Sequence, residues 1–149
     1  AATFEDYRRT LNESLQEGNY DWGIFTAAVA DFQPESVFEG KLPSNQKQLS
    51  LKLVPTVKVI EEVRQHSPEL KMVTFKYEEN ISHEELMEIA KNRLSEKGGS
   101  QLVVANRVEE FKQDGTQVAW LLESKQEPQK HIGKKDIANA ILDRIELTA

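Results

Sequence analysis

The chain contains no cysteine, which excludes a disulfide framework and any thiolate metal site. It also lacks an apolar run near the roughly 18 to 20 residues that a membrane-spanning helix requires, and no secretion signal opens it. The expectation is a cytoplasmic protein without a membrane partner. A surplus of positive charge is missing too. The formal net charge is -6 over 149 residues, whereas binding to nucleic-acid backbone or anionic lipid relies on excess Lys and Arg to displace counterions. Nucleic acid is not an expected partner, and any anionic ligand must be met by a local group of cations. No Gly-x-Gly-x-x-Gly fingerprint is present, which sets aside a dinucleotide-dependent oxidoreductase. Internal repeats and low-complexity tracts are absent as well.

What is there reads as a folding sequence. Hydrophobic residues make up 38% and charged residues 30%, well away from the composition of disordered chains. The length fits one domain, so residues 1–149 are read as a single domain. Phe4, Tyr7, Leu11 and Leu15 recur at helical spacing before Gly18, predicting an amphipathic helix with a glycine stop. Trp22 to Ala30 is a short, nearly continuous apolar run that predicts a strand covered on both faces. Phe32 to Gln48 has turn-forming residues and no periodicity, predicting a long loop of the kind that is usually functional.

Leu49, Leu51 and Leu53 alternate with polar residues and predict a strand closed by Pro55. Thr56 is expected to cap a helix whose buried stripe is Val59, Ile60 and Val63, stopped by Ser67-Pro68. A strand follows at Lys71 to Tyr77. Ser82 and Glu85 have capping-box spacing, and Leu86, Ile89, Ala90 and Leu94 continue a helix to Gly98-Gly99. Strands at Gln101 to Ala105 and Gln117 to Leu122 precede a closing helix, Lys134 to Ile145. This alternation predicts an α/β fold, a three-layer Rossmann-like domain with a mostly parallel sheet. Ligands of such sheets bind beyond the carboxyl ends of the strands, which directs attention to Ala28 to Asp31, Phe75 to Glu78, and Asn106. His66, His83 and His131 are far apart in polar surroundings and read as surface residues without a metal role.

Those strand ends carry a resemblance. Ala27-Ala28-Val29-Ala30-Asp31-Phe32-Gln33-Pro34 resembles the Ala-Ala-Val-Ser/Ala-Asp-Tyr/Phe-x-Pro signature of phosphopantothenoylcysteine synthetases (phosphopantothenate-cysteine ligases). Lys41 follows at the spacing of that family's flap lysine, and Leu53-Val54-Pro55-Thr56 precedes a helix as it does there. Thr74-Phe75-Lys76-Tyr77-Glu78 resembles its Gly-Phe-Lys/Ala-x-Glu strand end. Ala90-x-x-Arg93-Leu94-x-x-Lys97-Gly98 resembles its Ala-x-x-Lys-Leu-x-x-Lys-Gly helix. Val103-Val104-Ala105-Asn106 and Ile141-Leu142-Asp143-Arg144-Ile145 complete an ordered series from Ala27 to Ile145. The resemblance implies the C-terminal part of that domain, as found in a bifunctional flavoprotein, with the N-terminal segment used for cysteine coupling absent.

The resemblance further implies a ligase of coenzyme A biosynthesis that joins 4'-phosphopantothenate to cysteine through an acyl-nucleotide, with CTP or ATP and Mg2+ as co-substrates. It also implies a homodimer and a flexible flap. Lys41 would be the catalytic flap lysine. The nucleotide would meet Ala27, Ala28, Asp31, Lys41, Phe75, Arg93 and Lys97, and largely the backbone of Val57, Lys58, Val59 and Ile60. Asp31 would contact the sugar or hold Mg2+.

Each residue also has a plainer reading. Asp31 alone would be a turn former, Lys41 a solvated lysine, Phe75 a core aromatic, and Arg93 with Lys97 a solvated basic face. Three departures stand out. Val57-Lys58 replaces Pro-Asp, Lys41-Leu42-Pro43-Ser44 replaces Lys-Ile-Lys-Lys, and Arg107 replaces an Asp. A non-catalytic nucleotide-binding or interaction module derived from the family is the alternative.

Overall fold

The computed structural model describes residues 3–42, 47–95 and 99–147. In chain order its elements are α1 (Phe4–Glu17), β1 (Trp22–Phe25), β2 (Phe32–Pro34), β3 (Leu53–Pro55), α2 (Val59–His66), β4 (Lys71–Glu78), α3 (His83–Ser95), β5 (Leu102–Arg107), a 3-10 turn (Val108–Glu110), β6 (Val118–Glu123), β7 (Gln129–Ile132) and α4 (Lys134–Glu146). Five strands form one sheet in the order β1-β4-β5-β6-β7. The β1–β4 and β4–β5 pairings are parallel, and β5–β6 and β6–β7 are antiparallel. Two reversals return β7 to the direction of β5, so β6 alone runs against the rest and the sheet is mostly parallel. β2 and β3 pair antiparallel in a separate two-stranded ribbon.

Side chains alternate across a strand, and the packing partners identify the two faces. Val73, Leu102, Val104, Ala119 and Leu121 pack against Ile137 and Ile141 of α4. On the opposite face Val103, Ala105 and Leu122 meet Leu86, Met87 and Ala90 of α3. Met72 on that same face meets Val59 and Val63 of α2, with Phe4, Tyr7, Leu11 and Leu15 of α1 packed alongside. The result is three layers: α1, α2 and α3, the sheet, then α4. One helix does not cover five strands, and Ile24 and Phe75 on the α4 face stay 46% and 39% exposed.

Local signals fix the helices. Thr3 caps α1 by accepting from the Asp6 N–H at 3.1 Å, and the Gly18 N–H closes its last turn on the Ser14 carbonyl. The capping box of α3 is formed in both directions. Ser82 N–H donates to Glu85 Oε2 at 2.7 Å, and Glu85 N–H to Ser82 Oγ at 3.1 Å. Arg8 fastens α1 to α2 through two bonds to Glu62, Nε to Oε2 at 2.7 Å and Nη2 to Oε1 at 2.5 Å.

Several expectations are corrected. The strand expected to reach Ala30 ends at Phe25. β1 pairs only with β4 among the described residues, and Ala27 and Ala28 beyond it are exposed. The loop expected from Phe32 begins instead as β2, because Phe32 to Pro34 pairs with Pro55 to Leu53. Leu49 and Leu51 are not in a strand, and their alternation packs against nothing buried. α2 is capped at Lys58, not Thr56. β7 was not anticipated, since Gln129-Lys130-His131-Ile132 carries almost no apolar pattern and owes its place to pairing with β6. Gly98, the expected stop of α3, lies outside the described residues.

Candidate functional site

Strands β1, β4 and β5 run parallel, so the segments that leave them emerge on one side of the molecule. That is where α/β sheets hold ligands. After β1 the backbone is pinned by Thr56, whose Oγ1 donates to the Ala30 carbonyl at 2.6 Å and whose N–H donates to the Asp31 carbonyl at 2.9 Å. Both bonds bury Thr56 and set Asp31 beside the start of α2. There Lys58 Nζ reaches Asp31 Oδ1 at 2.5 Å.

β4 and α3 add further positive charge. The Asp31 carboxyl is held below its ordinary range, first by the hydrogen bond from Lys58 and its charge, and then, against slight desolvation, by the charges of Lys76 and Arg93. Lys76 is itself paired with Glu78 at 2.6 Å, so part of its charge is offset locally. Lys58 thus touches the carboxylate, while Lys76 and Arg93 act on it through their charge alone, in a chain that is acidic overall. α2 begins at this cluster with no side chain capping its first N–H groups, which adds the positive end of a helix.

The remaining candidates divide clearly. Val59 is buried, and Ile60 packs against the same cluster with Leu70 and Met72, which leaves their backbone, not their side chains, for a ligand. Val57 is exposed, as are Ala27 and Ala28 on the segment leading to Asp31. Phe75 lies on the α4 face and Lys76 on the opposite one, so aromatic and cations flank the strand ends from two sides. Lys41 is exposed, directly after Gly40, whose φ of 100° favours glycine. Among the described residues Lys41 makes no hydrogen bond or ion pair with the Asp31 cluster. Lys97 lies outside the described residues, as do Pro43 and Ser44 of the flap.

Thr56 was not among the sequence candidates for this site, and Lys76 fell only within the strand-end stretch Phe75 to Glu78, with no role of its own. Lys76 had a signal, a cation near the carboxyl end of an expected strand. Thr56 had none that separates a pinning residue from a helix cap. The expectation of three surface histidines holds for His66 and fails for the others. His83 Nδ1 lies 2.7 Å from Glu110 Oε1, with its ring 4.7 Å from the Trp120 ring. Glu110 also accepts from Trp120 Nε1 at 2.6 Å and Arg107 Nε at 3.1 Å, and Arg107 donates to the Ile81 carbonyl. His131 sits 3.3 Å from Asp136. Arg107 is thereby committed to holding the turn after β5. A shallow groove of about 630 Å3 beside this turn, lined in part by Phe111, Asp114 and Lys130, contains none of the Asp31 cluster.

The fit of a metal ion is poor at Asp31. Its carboxylate already carries an ammonium group, and the further charges acting on it, those of Lys76 and Arg93, are positive as well. Among the described residues no group of three or more His, Asp or Glu is placed to hold a metal, and no helix is long and apolar enough to cross a membrane.

Residues 2–148 match the family model described as the DNA/pantothenate metabolism flavoprotein C-terminal domain. The chain is 32% identical over 144 residues to the coenzyme A biosynthesis bifunctional protein CoaBC of Thermococcus kodakarensis, covering 97% of this chain and 35% of that protein. It is 33% identical over 141 residues to the protein of the same description from Methanocaldococcus jannaschii, covering 93% and 34%. The chain thus spans about a third of the length of these curated relatives. The crystal structure of the DNA/pantothenate metabolism flavoprotein from Streptococcus pneumoniae has the same fold, with a TM-score of 0.84 at 22% identity, covering 100% of this chain and 72% of that one. The C-terminal domain of a coenzyme A biosynthesis bifunctional protein CoaBC superposes with a TM-score of 0.71 at 21% identity, covering 99% and 63%.

Proposed function

Because the chain belongs to the DNA/pantothenate metabolism flavoprotein C-terminal domain family, we propose that it supplies the nucleotide-binding part of a phosphopantothenate-cysteine ligase in coenzyme A biosynthesis. One observation carries this reading beyond family membership: at the carboxyl ends of the parallel strands Lys58 is ion-paired with Asp31 at 2.5 Å, and the charges of Lys76 and Arg93 also act on that carboxylate. A net-negative chain that gathers cations at a ligand-binding edge is suited to a polyphosphate.

In the reaction proposed, the carboxylate of 4'-phosphopantothenate attacks the α-phosphorus of CTP or ATP. The bond to the leaving pyrophosphate breaks and an acyl-nucleotide forms. The cysteine amine then attacks the acyl carbon, the nucleoside monophosphate leaves, and the amide forms with release of the amine proton. Lys58, Lys76 and Arg93 bind the triphosphate and stabilise the charge that grows on the leaving pyrophosphate. Ala27 and Ala28 let the nucleotide approach the backbone, the start of α2 offers N–H groups, and Phe75 borders the base. Lys41 closes over the bound nucleotide and excludes water from the activated acyl group, and Lys97 adds a further cation for the phosphates. Mg2+ would be held by the triphosphate and not by Asp31, and would supply further neutralisation of its charge.

The partner is a second copy of the chain, in the cytoplasm. Phe38, Leu49, Leu51 and Leu53 on the segment carrying β2 and β3 are all more than half exposed, an apolar patch of the kind an interface covers.

The test is to incubate the protein with 4'-phosphopantothenate, cysteine, Mg2+ and either CTP or ATP, and to detect 4'-phosphopantothenoylcysteine by mass spectrometry. Saturable binding of one nucleotide, weakened about tenfold or more by Arg93→Ala, is the expected result for a nucleotide-binding part, with product once the rest of the ligase is supplied. Nucleotide binding without product favours the non-catalytic module. Absence of both nucleotide binding and product overturns the proposal.

A further inference from the structure

Asp31 is the acidic residue at the centre of the cation cluster, and the way its charge is met has a consequence for metal use. Lys58 Nζ stands 2.5 Å from Asp31 Oδ1, and the two residues are brought together by the Thr56 bonds that fix the Ala30–Asp31 backbone. The ammonium group therefore occupies the position from which a cation would coordinate that oxygen. Lys76 and Arg93 supply the remaining charges acting on Asp31. A divalent ion approaching Asp31 Oδ1 would have to displace Lys58, and the charges of Lys76 and Arg93 add to the repulsion.

We propose that Lys58 is the resident counter-ion of Asp31, excludes a divalent metal from that carboxylate, and makes nucleotide binding here only weakly dependent on a divalent cation. The second half of this inference rests on the nucleotide reading; the first half stands on the ion pair alone. When a triphosphate binds, Lys58 is within reach to share its three donors between Asp31 and a phosphate oxygen. Mg2+ then acts through the phosphate chain alone, as expected for an ion that keeps most of its waters and takes few protein ligands.

Two measurements test this, on the unmodified chain and on Lys58→Met, an exposed position where folding is checked by circular dichroism. In the first, Mn2+ alone is titrated and paramagnetic broadening of the Ala30, Asp31 and Thr56 amide resonances is followed. Lys58→Met should broaden at several-fold lower Mn2+ than the unmodified chain. Equal broadening in both overturns the proposal. In the second, CTP and ATP are titrated with Mg2+ and with EDTA. The affinity gained from Mg2+ should be at least about tenfold greater in Lys58→Met than in the unmodified chain, a difference of about 1.4 kcal/mol. An equal gain overturns the proposal. If the unmodified chain binds neither nucleotide, the nucleotide reading falls, and the Mn2+ titration still decides whether Lys58 guards Asp31.

Discussion

Glu110 is met by three side chains, those of His83, Arg107 and Trp120. Burial pushes its carboxyl up, but hydrogen bonds from Trp120, His83 and Arg107 outweigh burial and hold it below 4.5, the ordinary glutamate value. A carboxylate with a depressed folded pKa contributes stability that is fully present above the unfolded value and is lost as pH falls through the folded one. Urea unfolding should therefore show stability declining as pH drops below about 4.5, and Glu110→Gln should flatten that decline because it removes the titrating group. Glu110→Ala at neutral pH leaves the Trp120 indole and the Arg107 guanidinium without their acceptor and should cost about 1–3 kcal/mol. An unchanged unfolding midpoint in Glu110→Ala would show that the network contributes nothing to the fold. This cluster was not legible in the sequence. Its members lie in three separate segments, and only the return of β6 beside β5 places Trp120 over His83. Asp31 was legible, because strand-end position and resemblance both pointed to it. Its partner Lys58 was expected to act through its backbone and stood out as a departure from the family pattern, but its side-chain pairing with Asp31 was not foreseen.

Among the elements, the two faces of a helix should respond very differently. Leu86 of α3 is fully buried against Val103 and Leu122, whereas Leu142 of α4 is half exposed. Leu86→Ala should cost about 2–5 kcal/mol, and Leu142→Ala less than about 0.5 kcal/mol. Thermal unfolding of the two variants checks this, and equal midpoints would contradict the assignment of faces. Helices were the most legible elements because their apolar stripes and caps are local: the Thr3 and Gly18 ends of α1 and the Ser82–Glu85 box are written in neighbouring residues. Strands were less so. β1 shares its apolar character with residues that never join the sheet, and β7 has no character of its own. Thr56 is a residue type that caps helices, yet the chain carries it past the end of β1, where backbone carbonyls of Ala30 and Asp31 compete for it and win.

At the scale of the whole molecule, the segment with β2 and β3 stands apart from the main sheet and exposes Leu51 at 67% and Leu53 at 54%. If a second copy covers it, Leu51→Ser with Leu53→Ser should convert a dimer to a monomer in analytical ultracentrifugation while leaving the α1, α2, α3 and α4 packing intact by circular dichroism. A dimer unaffected by both changes would place the interface elsewhere. The order of layers and the mostly parallel sheet followed from the alternation of helices and strands. The reversal at β6 and the gathering of Lys58, Lys76 and Arg93 around Asp31 depend on long-range pairing that no local pattern encodes.

The central claim is that this cluster binds a nucleoside triphosphate, and calorimetric titration of the chain with CTP and with ATP, each with Mg2+, tests it most directly. Saturable binding of one nucleotide, weakened about tenfold or more in Arg93→Ala by loss of a charge-assisted phosphate contact, is the predicted result. Absence of binding by both, or binding that Arg93→Ala and Lys76→Ala leave unchanged, would contradict it.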